Sequence, residues 1–254
     1  GEHSGLRRAP QEPSDNPNLA RAFTNTGITV VGSDNSREPA QRIIGSARTS
    51  PRYPMSVYYN TGKKSEAADE YNWIYTSTAN GGSGLCENNP ASTCIAPLDT
   101  ATGYDSYIVP YEARVMLLHT VSNSPRSHYA HQSNLAEDRI LYPVLDKTIA
   151  DYKGLYATNT PVVNATMTQL STEMRNQTTW QTTRSRINAY VQNGQLKVTL
   201  ASGTAATLTP VTVPTGTTGG NAVSAYGGYL TGWSSTPWLT GQTYTLPSSV
   251  AYPR

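Results

Sequence analysis

The sequence predicts an α/β fold followed by a small β-rich module. Helix-like and strand-like segments alternate through residues 1–186, and polar residues gather where the strands stop. At Ile187 the grammar changes: INAYVQ-NG-QLKVTL reads as two short strands joined by Asn193-Gly194, a strong hairpin signal. From Thr207 to Val213 and on through AYGGYLTGW and GQTYTLP the chain is Thr, Gly, Pro and Val with almost no charge. Residues 187–254 are therefore expected to form a separate β-rich module.

The elements follow in order. Asp15-Asn16-Pro17 opens a helix with Pro17 in its first turn; Leu19, Ala22 and Phe23 recur at helical spacing and Gly27 ends it. Ile28 to Gly32 reads as a short buried strand, with Asp34 just beyond its end. The next strand is expected over Met55–Tyr59, with Asn60-Thr61-Gly62 as its turn. A short helix follows over about 65–74, then a long connection containing the Gly/Ser-rich Asn80-Gly81-Gly82-Ser83-Gly84. Val115-Met116-Leu117-Leu118 is too brief for a membrane span and has the length of a buried strand, which would deliver His119 at its carboxyl end. His119, His128 and His131 are three of the chain's four histidines, and the loop after a strand end is where α/β folds assemble sites. Beyond them, Leu141, Val144, Leu145, Ile149, Tyr152 and Tyr156 keep the spacing of one buried helix face. A further helix is expected from Thr166 to about Arg184, with Met167, Leu170 and Met174 on one face.

Composition narrows the function classes. Among 254 residues, 19 basic and 17 acidic side chains give a net charge of +2 without any Lys/Arg block. Nucleic acid and anionic membrane surfaces are thus not indicated as partners. Polarity comes from Ser, Thr, Asn and seventeen Tyr. Cys86 and Cys94 flank a turn-rich loop that a disulfide could close, which would imply an oxidising, extracellular setting. Asn164-Ala165-Thr166 and Asn176-Gln177-Thr178 fit the N-glycosylation acceptor pattern, meaningful only in a eukaryotic secretory chain.

Arg8, Asp34 and His119 are each candidate reactive groups near an expected strand end. Together, Arg8-Ala9-Pro10, a helix, Gly27, a strand ending near Asp34, and Leu117-Leu118-His119 resemble the second half of a polysaccharide deacetylase of the NodB-homology type. Longer stretches (GEHSGL, SDNSREPAQR, DEYNWIY and HYAHQSNLAEDRILYPVLD) are similar to extracellular deacetylases of amino-sugar exopolysaccharides. The resemblance covers residues 1 to about 157. It implies the carboxyl-terminal part of a distorted (β/α) barrel and metal-dependent removal of N-acetyl groups. His119 would be the general acid, Arg8 would orient the catalytic base, and Asp34 would hold the histidine in place, although SDNSRE departs from the usual motif. His3, Tyr58, Asn60, Trp73, His128 and His131 would contact substrate. The family's first two motifs, which supply the base and the metal ligands, have no counterpart here. The divalent metal, zinc by the family's habit, is therefore expected to be bound mainly by residues outside this chain. On this reading the chain is the carboxyl-terminal portion of a longer secreted enzyme, and the missing amino-terminal part is its partner.

Two other readings compete. His128-Tyr129-Ala130-His131 with His3 or Glu137 could assemble a zinc site within the chain. Alternatively, Tyr71, Trp73 and Tyr75, or Tyr226, Tyr229, Trp233 and Trp238, could serve a non-catalytic extracellular module that binds carbohydrate.

Overall fold

The computed structural model describes residues 16–55, 60–156, 162, 164–200, 211–214, 216–219, 224–226, 231–234 and 242–248. His3, Arg8 and Tyr58 lie outside them, as do Tyr229 and Trp238. The fold is mixed α/β, with a parallel strand pair in one sheet and antiparallel sheets elsewhere. Its contacts divide the chain into two compact units. The first comprises Gly1–Tyr53, Pro125–Ser127 and Pro161–Val250; the second comprises Pro54–Ser124, His128–Thr160 and Ala251–Arg254.

The first unit opens with α1 (Pro17–Thr26). The Asn16 side chain accepts from the Asn18 amide, Pro17 fills the first turn, and Gly27 closes the helix at φ 70°. The strand β1 (Val30–Asp34) pairs in parallel with β3 (Ala47–Pro54), Val30 opposite Arg48 and Asp34 opposite Arg52. A tight hairpin joins β2 (Ile43–Ile44) to β3, with Gly45 at φ 60° in its turn. A small core of Phe23, Ile44 and Ala47 sits under it, flanked by Leu19, Ala20 and Val31.

The strand expected over Met55–Tyr59 lies, apart from Met55, outside the described residues; the strand β3 precedes it, on residues 47–54. Its sequence, ARTSPRYP, carries no apolar run, yet Ala47, Thr49, Ser50 and Pro51 are buried. Burial is tolerable because the polar atoms are paired. Thr49 Oγ1 accepts from the Arg42 amide at 2.7 Å, and the Thr49 amide donates to the Arg42 carbonyl at 2.8 Å. The helix α5 (Met167–Thr183), capped by Thr166, is stitched to this region by Gln41, whose amide reaches Ser171 Oγ at 2.9 Å and the Thr49 carbonyl at 3.1 Å.

The expected Asn-Gly hairpin is present as β5 (Ile187–Gln192) and β6 (Gln195–Leu200). Two more strands, β8 (Thr218–Gly219) and β11 (Gln242–Thr245), complete an antiparallel sheet in the order β5-β6-β11-β8. Val198 and Tyr244 are its buried centre. A separate three-stranded sheet comprises β7 (Val211–Pro214), β10 (Thr231–Ser234) and β9 (Ser224–Tyr226).

The second unit is helical around one core: Ala67, Ala68 and Tyr71 from α2 (Lys64–Tyr75), Val109 and Ala113 from α3 (Val109–Val121), and Val144 from α4 (Leu141–Leu155). A π-helical turn, Tyr104–Ile108, leads into α3. The run Val115–Leu118 lies inside α3 and is not a strand, so His119 occupies the last turn of a helix. Val109, Ala113 and Met116 are buried at spacings of four and three, whereas Leu118 is 58% exposed. The run is two faces of one helix rather than a strand buried throughout.

Candidate functional site

The second unit builds its site where two loops meet. Met55 donates its amide to the Tyr129 carbonyl at 3.3 Å, which sets the chain around residue 55 beside β4 (His128–Tyr129). Two loops of this unit, 60–63 and 130–139, carry the expected residues. Asn134 joins these loops. It is fully buried; its Oδ1 accepts from the His131 amide at 2.8 Å, and its Nδ2 donates to the Thr61 carbonyl at 2.9 Å. A buried amide satisfied by backbone on both sides fixes the loop spacing, because losing either partner leaves a desolvated polar group.

Further bonds repeat the clamp. Asp138 donates its amide to the Gly62 carbonyl at 3.1 Å and accepts the Lys64 amide on its carboxylate at 3.0 Å. Lys63 Nζ lies 3.9 Å from Glu137 and 3.4 Å from Glu66. Glu66 also accepts the Gly62 and Lys63 amides, and these backbone bonds hold its carboxyl below the usual carboxylate range. Gly62 runs close beside Glu137: a Cβ there would lie 2.9 Å from Glu137 Oε2, the movable end of that side chain. Asn60 and His131 thus stand exposed on two interlocked loops, with the His131 ring edge-on to Tyr129 at 5.8 Å.

His119 and His128 form a pair of their own. His119 Nδ1 and His128 Nε2 are 2.8 Å apart, close enough to share a proton between one donating and one accepting imidazole. Burial lowers the pKa of His119; burial, and then the neighbouring His119, lower that of His128 to about 4. Both rings are therefore neutral at neutral pH, and the pair fastens the end of α3 to β4.

The remaining expected site residues serve local structure. Asp34, in the first unit, uses Oδ1 to accept from the Ser36 amide at 2.8 Å and the Ser36 hydroxyl at 2.7 Å, the bonds of a turn-forming aspartate. Trp73 is 38% exposed on α2. Cys86 and Cys94 form a disulfide, as expected. The segments flanking the loop they close seal the carboxyl end of α2: the amides of Ser83 and Ile95 donate to the Trp73 and Tyr75 carbonyls, both at 2.8 Å, and Asn72 grips both backbone groups of Leu98. Tyr71 is a core residue, its ring tilted 43° to that of Tyr75 with centroids 4.4 Å apart.

Among the described residues no group of three His, Cys, Asp or Glu side chains is placed to hold a metal ion. His128 Nε2 is turned to His119, and His3 lies outside the described residues. The described residues therefore do not fit a metal ion.

Asn134 was invisible in the sequence reading. Its only signal is its place three residues after His131, the spacing at which a side chain reaches back to a backbone amide. Among the described residues no helix is long and apolar enough to cross a membrane. No family model matches the chain, and comparison with curated proteins and with solved structures likewise gives no match.

Proposed function

We propose that this chain is the proton-delivering part of a secreted N-deacetylase of amino-sugar polysaccharides, and that its proton donor is His131 rather than His119. The observation that carries this reading is the buried Asn134 bridge, which fixes His131 and the Asn60 turn as one rigid, exposed pair of loops. Amide cleavage expels an amine, a poor leaving group until it takes up a proton. An exposed imidazole on a braced loop suits that task, because a ring N–H can be handed to a departing amine. His119 is less suited: it sits on a helix, and one ring nitrogen is committed to His128. Asn60 would hydrogen-bond a sugar hydroxyl or the acetyl group. The sequence resemblance supplies the substrate class, a barrel completed by further chain, and a catalytic metal held elsewhere in the protein. The disulfide and the absence of a membrane-crossing helix among the described residues are compatible with secretion.

The test is acetate release from a partly N-acetylated amino-sugar polymer. It is measured on the protein encoded by the entire reading frame in which this chain lies. His131→Gln is expected to lower kcat by about 100-fold or more, and His119→Gln by less than about tenfold. The isolated 254 residues should release none. Acetate release by the isolated chain, no release by the whole-frame protein, or a larger loss from His119→Gln, would overturn the assignment.

A further inference from the structure

The two Asn-X-Thr sequons are equivalent in sequence, yet they occupy opposite sides of a helix boundary. We propose that Asn164 is an N-glycan acceptor and that Asn176 is not. The proposal stands apart from the deacetylase reading and does not depend on it.

Asn164 is exposed and precedes Thr166, the N-cap of α5, so the triplet lies outside the helix. The glycosyl transferase must bring the asparagine amide and the threonine hydroxyl together on one side of the backbone. A non-helical segment can do this. A helix cannot, because it advances about 100° per residue and sets positions i and i+2 on opposite faces. Thr166 Oγ1 is engaged with Gln169 in the helix cap, but at an exposed end where water can replace either partner.

Asn176 and Thr178 lie inside α5, and both polar groups are spent there. Asn176 Nδ2 donates to Glu173 Oε2 at 3.2 Å, and Thr178 Oγ1 donates to the Met174 carbonyl at 3.0 Å. Asn176 is also half-buried. A branched sugar on that nitrogen would break its bond to Glu173.

The donor is a lipid-pyrophosphate-linked oligosaccharide. The Asn164 amide nitrogen bonds to C1 of the first sugar as the C1–O bond to the pyrophosphate breaks, and the amide loses one proton to a transferase carboxylate. The Cys86–Cys94 disulfide fits the oxidising lumen in which this transfer takes place.

The chain is expressed behind a secretory leader in a eukaryotic host. Material from medium and cells is pooled and treated with peptide N-glycanase, which leaves Asp wherever an asparagine carried a glycan. Mass spectrometry is expected to find Asp at position 164 and unmodified Asn176. Asn164→Gln should abolish the glycan, and Thr166→Ser, which retains both sequon and cap oxygen, should keep it. A glycan on Asn176 in the wild-type chain, or none at either position in the pooled material, would overturn the proposal.

Discussion

The His119–His128 pair makes the second unit sensitive to acid in a calculable way. An unfolded imidazole titrates at about 6.5, whereas His128 in the fold is held near 4, first by burial and then by its neighbour. Between those values the unfolded chain binds more protons than the folded one. The contribution to stability is therefore complete above about pH 6.5 and is lost as the pH falls toward 4. For an isolated group with this shift, linkage gives a loss of about 2 kcal/mol between about pH 8 and about pH 5. Water reaching a half-buried ring reduces this to about 1–2 kcal/mol. His119 shifts in the same direction, also by burial, and adds to the loss. NMR titration of the imidazole Cε1 protons reads each pKa directly. Amide exchange along α3 and α4 reads the stability of the unit. His128→Gln keeps an acceptor for His119 but cannot titrate, so exchange in that variant should depend less steeply on pH. A His128 resonance that titrates at or above 6.5, or pH-independent exchange in the wild type, would refute the reasoning.

Other perturbations test the packing. Asn134→Leu should cost about 2–4 kcal/mol by leaving the His131 amide and the Thr61 carbonyl desolvated and unpaired, read by urea unfolding; a change within about 0.5 kcal/mol would show that the bridge does not hold the loops. Replacing Cys86 and Cys94 by serine should cost about 2–3 kcal/mol through the freed loop, with the greatest gain in amide exchange at Ser83 and Ile95; unchanged exchange there would refute the sealing role. Gly45→Ala should destabilise the first unit by at least about 2 kcal/mol in thermal unfolding, because φ is 60° and the new Cβ would lie 2.1 Å from the Ala20 carbonyl oxygen; a neutral result would mean that the hairpin turn is placed wrongly.

What could be read in the sequence was local. Asn16, Pro17 and Gly27 announce both ends of α1 through atoms that cap it. The helix from Leu141, the Thr166 cap and the Asn193-Gly194 turn likewise carry their reasons within a few residues, although Ile149, expected on the buried face of that helix, is 49% exposed and Thr148 is buried beside Val144. Segments defined by distant partners were misread. The strand β3 is buried because Arg42 pairs its threonine and β1 lies alongside it; nothing in ARTSPRYP is hydrophobic enough to show this. Four apolar residues before His119 fit a buried strand as well as a helix, and the choice rests on Val109 and Ala113 upstream packing with α2 and α4. The candidate site suffered the same way: its three histidines were visible, but not which one the fold would leave open to solvent. That depended on Asn134 and on His128 turning toward His119.

The clasp over the end of α2 has a practical corollary. Because the Asn72 grip on Leu98 and the Ser83 and Ile95 bonds anchor the loop at its roots, its exposed tip around Asn89-Pro90-Ala91 takes no part in those bonds. That tip is a natural place to splice in an epitope or a fluorophore handle, reporting on where the protein goes without touching Asn60 or His131.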